Sequence, residues 1–231
     1  MRNGDTYACS GCGAVYPVKN DIIDFLHTLP LSDEQAGIQQ RYDEIAASYD
    51  DTIVSLVETA GCSWSAYTDE IECFMGRQQD QCILDVGCGT AFPIGSFVPD
   101  GASYIGLDCS LKMLDRAHDF FGTRAGVALL GIDVERMPVA QDSVDACLAL
   151  FSLNVMLDPS RAAKRIATVL KCHGELLVTV PVRAHNSQDT PLMNRAIDEK
   201  CLAGVLSVFC DTFEMISRRH GDILFVRLGP R

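Results

Sequence analysis

The 231-residue chain contains no apolar run that approaches the roughly 18 residues of a membrane span, because charged residues or glycines interrupt every candidate. Its first ten residues lack the basic and then apolar pattern of a signal peptide. The sequence also contains neither an internal repeat nor a low-complexity tract. We therefore expect a soluble, cytoplasmic protein without a membrane span, whose 11 cysteines are reduced.

Basic residues are scarce: 19 Lys and Arg stand against 31 Asp and Glu, which gives a formal net charge of −12. Such a charge repels phosphate backbones and anionic membrane surfaces, so nucleic acid is not an expected partner. Hydrophobic residues make up 48% of the chain, enough for a closed core, and this excludes a disordered or fibrous protein. The length favours one large domain with a short appendage.

The second half of the chain alternates between short apolar runs and helical stretches. The runs are nearly continuous in apolar character, which is typical of strands buried on both faces of a parallel sheet. Helices are predicted over 110–121 and 160–170, the second ended by Gly174, and an antiparallel edge hairpin over 212–228. The predicted fold class is α/β, with a doubly wound, Rossmann-like, mostly parallel sheet. The predicted parallel strands are 82–86, 103–107, 127–132, 144–150 and 175–180.

The first part of the chain has a different character. Residues 1–31 are turn-rich and alternating, which predicts a small ribbon-like β appendage. The main domain is then 32–231, with a helical cap over 32–78 and the Rossmann-like core over 79–231. Apolar spacings of three and four in the cap predict helices over 35–53 and 63–75.

A glycine pair follows the first predicted strand. Gly87 and Gly89 let the backbone turn sharply and let a ligand approach closely, although a tight turn alone would also explain them. Asp108 ends the next strand, at the spacing from Asp85 at which an acidic residue reaches a pair of ribose hydroxyls. Phe92 stands where a nicotinamide-binding loop has its third glycine, and the chain has no Gly-Lys-Ser/Thr phosphate loop. The pattern therefore predicts a nucleoside-containing ligand of another kind.

Four motifs in order carry a family resemblance: ILDVGCGT at 83–90, YIGLDCS at 104–110, GIDVERMPV at 131–139 and DSVDACLALFSLNV at 142–155. They resemble the class I S-adenosylmethionine-dependent methyltransferases, and most nearly the branch of the ubiquinone- and menaquinone-pathway enzymes. The resemblance covers about residues 35–180 and implies S-adenosyl-L-methionine as the cofactor.

The resemblance also implies roles for residues at the ends of the first two strands. It implies that Asp85, Gly87, Cys88 and Gly89 surround the methionine part of the cofactor. Asp108 would then accept hydrogen bonds from both ribose hydroxyls. A strand-end Asp can also cap the next helix, but Ser110 is better placed to do so.

The adenine and the sulfonium are assigned in the same way. By resemblance, Cys109 and Met113 flank the adenine, and Asp133 accepts from its amine with Val134 alongside. Asp133 could equally be an ordinary loop acid. Phe151, after the fourth strand, would lie under the sulfonium.

Two further stretches of sequence, one just after the glycine pair and one before the first strand, bear on the cofactor site. Phe92-Pro93 followed by Gly95 predicts that the first helix of the sheet is short or late. Residues 42–50 resemble the helix that closes over the cofactor, so that Tyr42 or Tyr49 would reach it. Both tyrosines could instead pack as ordinary residues of an amphipathic helix.

The pair Cys9-x-x-Cys12 resembles half of a small zinc ribbon that is fused to, or is a partner of, some methyltransferases. A structural zinc site needs four ligands, and only two are present here. We expect no metal and a remnant held by apolar packing. Zinc would require a partner chain or distant ligands such as Cys62 or Cys73. The expected packing residues are Tyr16, Ile22, Ile23, Phe25 and Leu26.

The predicted function is transfer of a methyl group from S-adenosylmethionine to a small, partly hydrophobic metabolite. The leaving group is already activated, so a strong base is not required. Weak candidates for a base are His185, Tyr42, Tyr49 and Asn154. The alternatives are an RNA or protein methyltransferase, or a non-methylating protein that binds the same cofactor.

The acceptor pocket is expected to contain Trp64, Tyr67, Phe74 and the segments 151–157 and 183–206. A small-molecule substrate and a possible homodimer are the expected partners.

Overall fold

A computed structural model describes residues 2–183 and 196–230, and these form one continuous eleven-stranded sheet. In space the strands follow the order β1-β2-β3-β4-β7-β6-β5-β8-β9-β11-β10. Their bounds are β1 Arg2–Asn3, β2 Thr6–Ala8, β3 Val15–Lys19, β4 Ile22–Asp24, β5 Cys82–Val86, β6 Ser103–Asp108, β7 Val127–Gly131, β8 Val144–Leu150, β9 Leu170–Pro181, β10 Phe213–His220 and β11 Ile223–Pro230.

Strands β4 to β9 of this sheet run parallel, and β10 and β11 form an antiparallel hairpin at one edge. The central strands are buried on both faces: Leu84 and Val86 of β5 face one apolar cluster, and Ile83 faces the other. This explains the nearly continuous apolar sequence of each strand. The predicted α/β fold with a mostly parallel sheet and a C-terminal hairpin is confirmed.

Helices cover both faces of the sheet. Helices α2, α3 and α4 pack on the face of Ile83, whereas α5 and α6 pack on the face of Leu84. The helix predicted over 35–53 is divided by a 3₁₀ turn at Ala46–Ser48. No helix of the described ranges is long and apolar enough to traverse a membrane. The helices are α1 Asp33–Ile45, α2 Tyr49–Thr59, α3 Trp64–Met75, α4 Leu111–Phe121, α5 Pro159–Val169 and α6 Glu199–Leu206.

The connections after β5 and before β9 both bear on predictions made from the sequence. After β5 the chain makes only a 3₁₀ turn at Ile94–Phe97, as Pro93 and Gly95 predict for a short first helix. The prediction that Gly174 ends the helix before β9 was wrong, because β9 begins at Leu170 directly after α5. Gly174 instead lies within the strand, where a Cβ would come within 2.9 Å of the carbonyl oxygen of Asp145 in β8.

The N-terminal ribbon of β1 to β4 is joined to the main sheet. β4 pairs in parallel with β7, so that Ile22 lies opposite Leu129, and the Phe25 amide donates to the Gly131 carbonyl at 3.0 Å. Phe25 is buried and its ring lies 4.3 Å from that of Tyr16. This pairing extends the sheet of the main domain, a contact that the sequence did not predict.

Candidate functional site

A cleft lies at the carboxyl ends of β5, β6, β7 and β8, beneath α1 and the start of α2. Its empty space is about 880 Å³, measured out to its open mouth. In a parallel sheet this edge, where the strand order reverses, is the usual ligand-binding position. The cleft is lined by Leu31, Gln35, Ile38, Tyr42, Tyr49, Gly87, Gly89, Leu107, Asp108, Cys109, Met113, Ile132, Asp133, Val134, Glu135, Leu150, Phe151, Ser152, Val155, Met156 and Leu157.

The loop after β5 is held tightly against β6 and β8. The amides of Gly87 and Cys88 both donate to the Leu107 carbonyl, at 2.8 and 2.9 Å. Gly87 has a φ of 72°, and a Cβ there would lie 2.7 Å from the Cβ of Ser152. Glycine is therefore required at this position both by backbone conformation and by the close approach of the end of β8.

Asp108 ends β6 inside the cleft, and both of its carboxyl oxygens are held by backbone amides. Oδ2 accepts from the Gly89 amide at 2.9 Å, and Oδ1 accepts from the Ser110 amide at 2.8 Å. Burial raises the pKa of Asp108 to about 6, although the amides of Ser110 and Gly89 lower it. Each oxygen retains capacity for a further hydrogen bond, so the group suits a vicinal diol. Ser110 caps α4 by accepting from the Met113 amide.

The far wall of the cleft contains Asp133, at the end of β7. Its Oδ1 accepts from the Glu135 amide at 3.1 Å, and its Oδ2 accepts from Nε2 of Gln35 in α1 at 2.9 Å. The apolar side chains of Met113 and Val134 line the same cleft as Asp133 and Asp108. The cleft therefore combines apolar walls with the carboxyl groups of these two residues.

Helix α1 closes this part of the cleft through polar contacts. Besides Gln35, Gln39 donates through Nε2 to the Cys109 carbonyl at 2.8 Å, and the hydroxyl of Ser110 donates to Asp43 at 2.5 Å. None of the residues of α1 is buried. The sequence did not predict the roles of Gln35 and Gln39, although Ser32 and Gln35 form a capping box that a sequence can show.

Tyr42 and Tyr49 both line the cleft, with ring centroids 6.3 Å apart. A Cβ at Gly89 would lie 3.7 Å from the ring of Tyr49. Burial raises the pKa of Tyr42 to about 12 and raises that of Tyr49 well above its ordinary value. Both phenols are therefore protonated at neutral pH, which makes them hydrogen-bond donors rather than bases.

Asp50 attaches the start of α2 to the glycine loop. Its carboxylate accepts from Oγ1 of Thr90 at 2.7 Å and forms an ion pair with Arg116 of α4 at 2.7 Å. The helix that carries Tyr49 is thus anchored on the loop that it covers.

Phe151, after β8, adopts a φ of 49° and lines the cleft. Its ring stacks on that of Tyr67 at 5.5 Å, and Tyr67 stacks in turn on Trp64. Tyr67 and Phe74 are buried in the core, and neither they nor Trp64 line the cleft. Of these three residues expected in an acceptor pocket, Tyr67 lines a smaller neighbouring pocket together with Phe151, and Trp64 and Phe74 line neither of the two.

Asp85 at the end of β5 and Cys88 within the glycine loop do not line the main cleft. Both line a smaller neighbouring pocket together with Gly87 and Phe151. The Asp85 carboxyl accepts from the Tyr104 hydroxyl at 2.7 Å, and burial raises its pKa to about 7. The other positions assigned by resemblance all line the main cleft.

Ser152 and Asn154 add polar atoms near the cleft. The Ser152 hydroxyl and Oδ1 of Asn154 are buried and have no hydrogen-bond partner among the described residues. Of the two residues, Ser152 lines the cleft. Ser152 belongs to the segment 151–157 that was expected in the acceptor pocket, but the sequence did not predict its close approach to Gly87. The candidate His185 lies outside the described residues.

The cysteine pair lies between β2 and β3, which β4 separates from the cleft strand β7 in the sheet order, and neither cysteine lines the cleft. Cys12 is exposed and Cys9 partly so, and backbone amides of Cys12 and Gly11 lower the pKa of the Cys9 thiol. Within the described ranges, no three His, Cys, Asp or Glu residues are grouped so that they could hold a metal ion.

Residues 84–178 match a family model described as "Methyltransferase domain". The chain is 28% identical over 157 residues to the biotin biosynthesis bifunctional protein BioHC of Cellvibrio japonicus, covering 68% of this chain and 29% of that protein. It is 23% identical over 168 residues to a demethylmenaquinone methyltransferase of Clavibacter sepedonicus, covering 73% and 66%. It is 28% identical over 181 residues to the O-methyltransferase cnsE of Penicillium expansum, covering 72% and 66%. The chain thus spans less than two thirds of the length of these relatives.

Solved structures share the fold. A SAM-dependent methyltransferase from Aquifex aeolicus superposes with a TM-score of 0.65 at 14% identity, covering 82% of this chain and 98% of that one. A complex between the Haloferax volcanii Trm112 methyltransferase activator and a methyltransferase gives 0.65 at 15% identity, covering 82% and 97%. The [4+2]-cyclase SpnF gives 0.64 at 20% identity, covering 85% and 94%.

Proposed function

We propose that this chain, which carries a class I S-adenosyl-L-methionine-dependent methyltransferase domain, transfers the methyl group of that cofactor to a small, neutral, partly hydrophobic acceptor. One observation carries the proposal: a single cleft combines a carboxylate suited to a ribose with a largely apolar lining. The likeness to demethylmenaquinone and O-methyltransferases supports an acceptor with a hydroxylated ring.

The residues of the cleft fit the cofactor. Asp108 has the hydrogen-bonding capacity for the two ribose hydroxyls, and Met113 and Val134 offer apolar surfaces to a planar base. Asp133 lines the same cleft, and its carboxylate can accept a hydrogen bond from an amine. Gly87 lines the cleft, and because it has no side chain the loop can lie against Ser152 at the end of β8. When bound, the cofactor supplies an electrophilic methyl group on a good leaving group.

The described lining of the cleft is largely apolar and contains no positively charged residue. Its apolar residues include Leu31, Ile38 and the segment 155–157, which follows the end of β8. The charged residues of the lining are Asp108, Asp133 and Glu135, and no described lining residue is Lys or Arg. An acceptor with a carboxylate or phosphate would lose hydration here without gaining a cationic partner. A neutral acceptor is therefore favoured.

The chain's own residues act by orientation and by exclusion of water. Helix α1 covers the cleft, and Phe151 is fixed beneath it by Tyr67, which restricts the position of any acceptor. Tyr42, Tyr49 and the Ser152 hydroxyl can donate hydrogen bonds to an acceptor oxygen. No phenolate base is required, since the acceptor attacks an already activated methyl group.

Cofactor binding is tested by calorimetry with S-adenosylhomocysteine. The substitution Asp108→Ala should weaken binding by about 1–3 kcal/mol, because it removes the acceptor of the ribose hydroxyls. The affinity of the parent chain for S-adenosylhomocysteine should also decrease when the pH is lowered below 6, because Asp108 becomes protonated. The exposed Asp119→Ala in α4 is the matched control. An affinity unchanged by Asp108→Ala would refute the ribose assignment.

Methyl transfer is tested with a labelled cofactor and three acceptors: a neutral hydroquinone, an aryl carboxylate of similar size, and RNA. Label should enter the hydroquinone and not the carboxylate. Label entering RNA would support the alternative of a nucleic-acid methyltransferase. Tight binding of the cofactor with no transfer to small acceptors, RNA or protein would instead support a non-methylating role.

A further inference from the structure

Strand β10 leaves one long edge of the sheet uncovered in the part of the chain that the structure describes. It pairs with β11 over eight residues without a register shift, and no described strand lies on its other side. Six consecutive residues of β10, 214–219, are exposed, and among them are the apolar side chains of Met215 and Ile216, at 45% and 52%. Long exposed edges invite pairing with another strand, and natural proteins block them with proline, bulges, charged side chains or short strands. β10 has eight residues and contains neither proline nor a bulge, and its charged side chains are of both signs.

The hairpin turn determines which backbone groups of β10 face outward. His220 and Ile223 flank a two-residue turn that begins with Gly221, at a φ of 58°. The flanking residues of such a turn are joined by a hydrogen bond, so the amides of residues 214, 216, 218 and 220 face β11. Those of Phe213, Met215, Ser217 and Arg219 therefore face outward.

This alternation restricts how two copies of β10 can pair in antiparallel orientation. Outward-facing residues must lie opposite outward-facing residues, so the twofold axis must pass through a residue rather than between two. With the axis at Ile216, the pairs are Met215 with Ser217 and Phe213 with Arg219, and about eight backbone hydrogen bonds form. Axes at Met215 or Ser217 would form fewer backbone hydrogen bonds, about six each.

The same register is also complementary in charge. It places Glu214 of each copy opposite Arg218 of the other, on both sides of a central pair of Ile216 side chains. These are the close, non-hydrogen-bonded positions, at which opposite charges attract and like charges repel. Arg218 already contacts Glu70 at 3.1 Å, but its side chain is 68% exposed and can face a second carboxylate. An axis at Ser217 would instead place Ile216 opposite Arg218.

We propose that β10 is the interface of a twofold homodimer, in which two copies of the chain join their sheets through antiparallel β10 strands centred on Ile216. The occupant of the edge is a second copy because the strand is complementary to itself. A twofold contact closes the assembly, whereas pairing with β1 would engage only two residues and leave free edges.

The test exchanges the charges of the pair and measures molar mass by sedimentation across a dilution series. Glu214→Lys alone places Lys opposite Arg218, and Arg218→Glu alone places Glu opposite Glu214. Each variant should dimerise roughly tenfold more weakly or worse than the parent chain. An equal mixture of the two variants should form heterodimers, because every pair in the mixed dimer is again opposite in charge.

A backbone variant tests the strand pairing itself. Met215→Pro removes an amide that faces outward, so it should abolish the dimer while the ladder to β11 remains. Glu58→Lys, an exposed charge change in α2, is the control and should leave the dimer unchanged. A monomeric parent chain, charge variants that dimerise like the parent, or a mixture that stays monomeric would each overturn the proposal.

Discussion

Asp85 is the most deeply buried carboxyl group of the described residues, at 1% exposure, and the Tyr104 hydroxyl is its hydrogen-bond donor. Burial raises its pKa to about 7 from an ordinary 3.8. The folded state therefore binds this proton more tightly than the unfolded state does. The resulting stabilisation is present at low pH and is lost as the pH rises through 7. Above that pH the folded chain contains a buried ion with one hydrogen bond.

The substitution Asp85→Asn should therefore stabilise the fold at pH 8, by on the order of 2–4 kcal/mol. The amide keeps the shape of the side chain and can still accept from Tyr104, but it cannot ionise. Urea unfolding of parent and variant at several pH values between 4 and 8 measures the effect. The gain should shrink towards zero at pH 4, and a gain of equal size at every pH would exclude ionisation as its cause.

The site residues differ in whether a short stretch of sequence is enough to predict them. Asp108 and Gly87 could be predicted because a strand followed by glycine, and a second strand ending in an acid, are patterns within short stretches. The contacts of Ser152 and Gln35 could not, since each is made with a residue distant in sequence, Gly87 and Asp133 respectively. The sequence left open whether Tyr42 and Tyr49 reach the cofactor or pack as ordinary helix residues. In the structure both line the cleft.

Among the secondary-structure elements, α1 depends most on polar contacts. It contributes no buried residue, and Gln35, Gln39 and Asp43 connect it to the strand ends below. A helix held in this way gains little from apolar burial and is expected to open locally before the sheet unfolds. Opening of α1 would expose the cleft that it covers.

The substitution Gln39→Ala should raise the rate of amide hydrogen exchange across Asp33–Ile45. It removes the bond to the Cys109 carbonyl, which contributes about 1 kcal/mol, and should leave exchange in β5 and β6 unchanged. Gln40→Ala is a close control, because Gln40 bonds only to Glu44 of the same helix among the described residues. Equal effects of the two substitutions would mean that the contact with Cys109 does not hold the helix.

The elements predicted most accurately were those whose signal is continuous in sequence. The runs at 82–86 and 144–150 matched β5 and β8, because a strand buried on both faces must be apolar throughout. The start of β9 was missed since Leu170 and Glu175 join the sheet by pairing with β8, and this pairing outweighs the local helix-ending signal at Gly174. The local helix or strand propensity of a segment has less influence on its structure where a neighbouring strand can pair with it.

On the scale of the whole molecule, the N-terminal ribbon and the main domain share one sheet through the β4–β7 pairing, so we expect them to unfold as one cooperative unit.

Ile22 of β4 is 4% exposed and belongs to one of the two apolar clusters. Trp64, the single tryptophan of the chain, packs on the same cluster. The substitution Ile22→Ala should therefore lower the free energy of unfolding by about 2–4 kcal/mol, and the fluorescence of Trp64 should report the whole shift in urea. The exposed Val15→Ala, in the same ribbon, should leave the midpoint unchanged. If 1–31 were instead an independent appendage, Ile22→Ala would shift a separate transition and leave that of Trp64 in place.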